Sequence, residues 1–160
     1  VADEIAAAGA MVSAILVDAP GGKQEAIDLS FSTAAVLDEA GVRVALHTDD
    51  YITDSRLFLR MAGLAVRGGL PRAVALEAVT LAGAEMLDLA DRVGSLTPGK
   101  DADFVVLDGD PLSVYSHVLE TWVEGRKVFD LTDPEDRLLA VGGPGAGDEH
   151  SFSDCCAHVR

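Results

Sequence analysis

Four adjacent residues, His47-Thr48-Asp49-Asp50, carry the groups in this chain best suited to moving protons. They end a short apolar run, Val42-Arg43-Val44-Ala45-Leu46, that alternates poorly and therefore reads as a strand buried on both faces. In parallel α/β architectures reacting groups collect at the carboxyl ends of strands, where the loops converge. A carboxylate or imidazole placed there is a candidate general acid or base. On these residues alone the plainer account of Asp49 is a strand-end aspartate capping the next turn. His47 reads equally well as a packed or hydrogen-bonded histidine and as a substrate contact, because a lone histidine is not a metal site. Lys23 lies in a Gly-rich loop, Asp18-Ala19-Pro20-Gly21-Gly22-Lys23, that follows another apolar run. It could meet an anionic group of a substrate, and solvation is the simpler role. His117, His150 and His158 show no metal-ligand spacing.

The elements that must position these groups follow from periodicity. Residues 3–10 read as a helix ending at Gly9, and 11–17, Met-Val-Ser-Ala-Ile-Leu-Val, as a buried strand. The spacing predicts a helix over 25–40 closed by Gly41, then the strand that ends in His47. Strand, helix, strand is the crossover unit that sets two parallel strands side by side. A further helix is expected over 54–67, capped by Thr53 or Asp54, with Leu57, Met61 and Leu64 as its core stripe. Pro71 should occupy the first position of the next helix, and Thr80 should cap a short one through Leu87.

From Asp91 the pattern changes to turns and short strands. Thr97-Pro98-Gly99-Lys100 fits a type II turn, Phe104-Val105-Val106-Leu107 a strand, and Thr121-Trp122-Val123 with Lys127-Val128-Phe129 a hairpin about Glu124-Gly125-Arg126. After Leu131 no element is evident. The run Gly142-Gly143-Pro144-Gly145-Ala146-Gly147 reads as flexible, and 131–160 is expected to be a poorly ordered tail.

Composition narrows the function classes. The 160 residues include 49% hydrophobic ones, enough for a sizeable core, and the net charge of −15 comes from 27 acidic against 12 basic residues. That balance argues against nucleic acid as a partner. No apolar run approaches the roughly 20 residues that span a bilayer, and no signal peptide opens the sequence, so no membrane partner is expected and a cytoplasmic setting is. Cys155 and Cys156 are adjacent and imply no disulfide framework. The sequence starts at Val1 directly in a helical pattern, and the expectation is a piece of something longer.

Several separated motifs resemble, in order, the C-terminal part of the metal-dependent amidohydrolase superfamily, in its imidazolonepropionase-like branch. They are Gly41-Val42-Arg43-Val44-Ala45-Leu46-His47-Thr48-Asp49, Val66-Arg67-Gly68-Gly69-Leu70, Ala78-Val79-Thr80-Leu81-Ala82, the long run from Asp91 to Pro111 containing Gly94-Ser95-Leu96-Thr97-Pro98-Gly99-Lys100-Asp101-Ala102-Asp103, and Trp122-Val123-Glu124-Gly125-Arg126-Lys127-Val128-Phe129. The resemblance implies an α/β fold: the last two βα units of a (β/α)8 barrel over 1–90 and part of a composite β-sandwich over 91–130. It implies hydrolysis of a carbon–nitrogen bond in a small amide or cyclic amide. A divalent metal, zinc first among them, would acidify the attacking water in the full-length enzyme. Asp49 matches the catalytic and metal-proximal aspartate, and Asp50 a substrate contact. His47 stands where the family usually has a small residue. The family's other metal ligands, a first-strand His-x-His, a bridging carboxylated Lys or Glu and two later His, have no counterpart here, so this stretch is expected to be inactive alone and to bind no metal stably. A small-molecule substrate and self-association through exposed strand edges complete the expectation. The rival is a non-catalytic binding or assembly module that keeps the same fold.

Overall fold

The computed structural model describes residues 1–16, 27–49 and 55–142. The chain divides into two compact units, Val1–Lys100 with Leu112–Val114, and Asp101–Pro111 with Tyr115–Arg160.

The first unit runs α1 (Ala2–Ala7), β1 (Val12–Ala14), α2 (Thr33–Glu39), β2 (Val44–Leu46), a 3₁₀ turn (Ser55–Leu57), α3 (Phe58–Arg67), α4 (Arg72–Ala78) and α5 (Leu81–Met86). β1 and β2 pair in parallel, with Val12 opposite Val44, Ser13 opposite Ala45 and Ala14 opposite Leu46. Alternation therefore sends Val12, Ala14, Val44 and Leu46 to one face and Ser13, Ala45 and His47 to the other. The first set joins the core with Leu37, Met61, Ala62, Ala65, Leu70, Ala75 and Ala78. Alanine dominates the helix contribution, which lets the helices pack close to the short strands.

What launches β2 is the way α2 stops. Gly41 takes a φ of 84°, the Gly41 amide donates to the Asp38 carbonyl at 2.8 Å, and the Val42 amide donates to Leu37 at 2.9 Å. This is the Schellman arrangement, in which a left-handed residue satisfies the last carbonyls and reverses the chain. Arg43 then reaches out from the base of β2. Its Nε donates to Glu85 of α5 at 2.6 Å and its Nη1 to Glu77 of α4 at 2.5 Å.

Several boundaries differ from the sequence reading. The helix expected over 25–40 starts only at Thr33, because the Ser30 hydroxyl accepts the Ser32 amide at 3.2 Å and holds a turn that competes with the helix. The strand expected over 11–17 covers Val12–Ala14; Val17 lies outside the described residues, as do Thr53 and Asp54. The core stripe of α3 is Met61, Ala62 and Ala65, backed by Phe58, whereas Leu57 sits in the 3₁₀ turn and is 39% exposed. Pro71 precedes α4 by one residue, and Thr80 does not cap α5: its hydroxyl turns back to the Leu76 carbonyl at 2.7 Å.

The second unit is a three-stranded antiparallel sheet, β3 (Phe104–Leu107), β4 (Val118–Val123) and β5 (Arg126–Asp130), followed by α6 (Pro134–Val141). Glu124 and Gly125 both have positive φ, 49° and 72°, the two-residue type I′ turn whose twist matches the hairpin. Arg126 is thus already in the strand. Across the sheet Phe104 stacks on Trp122, with centroids 5.6 Å apart, and Lys127 lies over the indole. The segment after Leu131, expected to lack order, instead forms α6 up to residue 141. Asp133 accepts the amides of Glu135 and Asp136, and Pro134 needs no donor at the first helical position. Residues 143–160 lie outside the described residues.

Candidate functional site

The parallel pairing sets the carboxyl ends of β1 and β2 on one rim. The His47 amide extends the ladder, donating to the Ala14 carbonyl at 3.2 Å. Its ring is half-buried on the strand face that also carries Ser13, and its Nδ1 lies 2.6 Å from the Ser13 hydroxyl of the neighbouring strand. Two residues on, Asp49 is exposed in the left-handed region, with a φ of 50°. Aspartate is among the few side chains that visit that region readily. Asp49 makes no hydrogen bond or ion pair to another described residue. Asp50 and Lys23, the other two substrate-binding expectations, fall outside the described residues.

The rim thus brings Ser13 and His47 together, with Asp49 two residues further along the chain. Ser13 was not singled out from the sequence. No local signal marks it, since a serine is ordinary on an exposed strand position.

A catalytic zinc takes at least three protein ligands. Among the described residues no group of three or more His, Cys, Asp or Glu side chains comes together in a way that could hold a metal ion. Asp49 is one carboxylate, and the imidazole nearest it is already engaged with a hydroxyl. The described residues do not by themselves fit a metal. His117, the histidine of the second unit, is tied to Asp108: its amide donates to Oδ1 at 2.7 Å and its Nδ1 lies 2.9 Å from Oδ2. That contact holds the Asp108 carboxyl below its ordinary range, through the His117 amide first and its ring second.

Much of the long signature run serves structure. Lys100 donates its ammonium to the carbonyls of Ala90 and Val93, pinning the turn that follows α5. The Lys100 amide closes on Thr97 at 3.2 Å with Gly99 at a φ of 96°, the expected type II turn. In the second unit Asp103 accepts the Glu124 amide at 2.7 Å and the Ala102 carbonyl accepts the Gly125 amide at 3.1 Å, so the Asp-Ala-Asp run clasps the hairpin turn.

The chain belongs to the amidohydrolase family, which residues 2–129 match. Imidazolonepropionases are among its relatives; that of Desulfotalea psychrophila is 38% identical over 109 residues, covering 61% of this chain and 26% of the relative. Among solved structures, an amidohydrolase from Thermotoga maritima superposes with a TM-score of 0.76 at 32% identity, over 81% of this chain and 34% of that one. An adenosine deaminase from Xanthomonas campestris with bound zinc superposes with a TM-score of 0.58 at 26% identity, over 79% of this chain and 33% of that one. The chain spans 12–26% of the length of curated relatives such as these. Its α/β architecture is that of the amidohydrolase folds it resembles. No helix among the described residues is long and apolar enough to cross a membrane.

Proposed function

We propose that this chain is the C-terminal part of a metal-dependent hydrolase that cleaves a carbon–nitrogen bond, other than a peptide bond, in a small amide or cyclic amide. In this reading 1–90 supply the last two βα units of a (β/α)8 barrel and 91–130 part of a composite sandwich. Asp49 is the general base. It takes a proton from the water that adds to the carbonyl carbon, and returns it to the nitrogen as the C–N bond breaks. Asp50 and Lys23 would contact the substrate. The metal is assigned to the assembled enzyme, with zinc favoured because a structural neighbour binds it. No step is derived through it, since the described residues do not form its site.

The observation that carries the proposal is the position of Asp49, immediately beyond the carboxyl end of a strand paired in parallel with its neighbour, in a chain of the amidohydrolase family. An exposed carboxylate there is free to meet water and substrate. The absence of a donor cluster among the described residues favours the second reading, a non-catalytic module of the same fold. Hydrolysis of a panel of hydantoins, dihydropyrimidines and imidazolones by the intact protein separates the two. The expected result is turnover of at least one, with Asp49→Asn lowering kcat by about 10²–10⁴-fold. Turnover that is unchanged in Asp49→Asn would remove Asp49 from the chemistry, and no turnover of any amide would leave the module.

A further inference from the structure

We propose that His47 is a specificity-determining residue: its ring, held in place by Ser13, limits the bulk of the substrate group that can lie next to Asp49. Ser13 is the positioning residue of the pair. The substrate part rests on the hydrolytic reading above; the hold of Ser13 on the ring does not.

Ser13 lies opposite Ala45 in the parallel ladder, and His47 is the next residue on that face of the second strand, one step nearer the carboxyl end. Among the paired residues that face carries Ser13 and Ala45, a hydroxymethyl and a methyl group, so the half-buried imidazole is the bulk at its end. The Ser13 Oγ meets Nδ1 at 2.6 Å across the two strands. This contact restrains the ring whichever of the two groups donates. A histidine side chain turns about two torsions, and tying one edge of the ring to a neighbouring strand restricts both.

Asp49 follows two residues later, so its Cα stands within about 7 Å of that of His47, the reach of two extended residues. That distance is comparable with the width of one small heterocycle. A substrate whose carbonyl carbon is presented to the Asp49 carboxylate therefore brings its substituents within reach of the imidazole. An untied ring would swing aside for a larger substituent. A tied one must break its hydrogen bond or crowd the substrate, and one methylene too many in a fitted site changes kcat/KM by about 10–200-fold. The role is one of place and volume, and it asks nothing of the charge on His47.

The test measures kcat/KM of the intact protein along a series of one ring type that it turns over, hydantoin, dihydropyrimidine or imidazolone, bearing hydrogen, methyl, propyl or phenyl beside the carbonyl carbon. In the wild type kcat/KM should fall as the substituent grows. His47→Ala should raise the phenyl-to-hydrogen ratio by about tenfold or more. Ser13→Ala should move the ratio the same way by less, and Ser13→Thr, which keeps the hydroxyl, should restore the wild-type ratio. His47→Gln, similar in reach and with a polar end for Ser13, should also keep that ratio. A purely structural role would scale every member of the series alike, so an unchanged ratio in His47→Ala would overturn the proposal. The hold itself is read by ¹³C relaxation of the His47 ring. Its order parameter should stand near the roughly 0.85 of rigid backbone and fall towards about 0.6 in Ser13→Ala; equal values in the two proteins would overturn the part given to Ser13. If no amide is turned over, the hydrolytic reading fails and takes the specificity role with it, while the relaxation measurement still decides whether Ser13 holds the ring.

Discussion

Arg43 holds the strand that carries His47 and Asp49 against two helices, and replacing it with methionine tests whether that clamp matters. The side chain is 29% exposed and its partners Glu77 and Glu85 are 47% and 36% exposed, so the cluster is half-buried. Both contacts raise the guanidinium pKa, the Glu85 hydrogen bond most, so Arg43 stays charged at any working pH. A hydrogen bond to a charged group is worth about 1.5–3 kcal/mol when sheltered. Exposed pairs return about 0–1 kcal/mol. Two bonds in an intermediate setting give a net loss of about 1–2 kcal/mol for Arg43→Met, which keeps the aliphatic stem. With a typical urea dependence this moves the unfolding midpoint down by about 0.5–1 M. A double-mutant cycle should give a larger coupling to Glu85 than to Glu77, because Glu85 is the less exposed partner. Raising the salt concentration should shrink both couplings without abolishing them. A midpoint unchanged by Arg43→Met, or a coupling to Glu85 indistinguishable from zero, would refute the view that this cluster anchors β2.

Three further outcomes follow from the same coordinates. A methyl group on Gly68 would sit 2.0 Å from the Phe31 carbonyl oxygen, so Gly68→Ala must displace the 27–32 turn, and urea denaturation should show a loss of about 3 kcal/mol or more; a loss within error would mean the turn yields freely. Asp130 is held at about 2, below its usual 3.8, by the Thr132 hydroxyl first and the Lys127 ammonium next. Its stabilising contribution is therefore complete above the ordinary carboxylate range and is lost as pH falls through about 2; a carboxyl NMR titration of Thr132→Ala should find the midpoint raised, and an unmoved midpoint would contradict the assigned cause. The chain of 160 residues should bind zinc no better than its Asp49→Ala variant in a calorimetric titration, and a stoichiometric site that depends on Asp49 would overturn the reading of an incomplete donor set.

What the sequence disclosed depended on how local the cause was. Gly41 announced the end of α2 because only a left-handed residue completes that stop, and the following amides then close on Asp38 and Leu37. Glu124-Gly125 announced the hairpin for the same reason. The start of α2 was not legible, since the turn at Ser30 to Ser32 uses hydroxyls that score as ordinary helix neighbours in a periodicity count. The α3 stripe was misread by one position because alanines 62 and 65 carry the packing, and alanine contributes little to an apolar pattern. α6 was missed although Asp133-Pro134-Glu135-Asp136 is a capped helix start; no strong apolar stripe follows it to draw attention. At the rim the aspartate could be found from its strand, but the serine that meets His47 arrives from 34 residues upstream. That contact is made by the parallel register, which no local pattern encodes.

The run from Gly94 to Asp103 shows why a recognisable motif and a working site need to be argued separately. It is the most distinctive stretch of the chain, yet several of its residues have structural tasks within their own unit. Gly94 has a φ of 84°, and a methyl group there would lie 2.7 Å from the Ala84 side chain. Lys100 satisfies two carbonyls left open after α5, and Asp103 receives an amide at the hairpin turn. None of these groups offers a nucleophile, a base or an open donor. Buried or turn-bound polar groups of this kind cost about 1–3 kcal/mol when one partner is removed, which is reason enough for their identity. The rim residues obey the opposite rule: Asp49 is exposed, strained towards the left-handed region and makes no bond to another described residue. The hydrolytic proposal rests on that contrast: a carboxylate open to solution can meet water and substrate, and one clasped in a turn cannot.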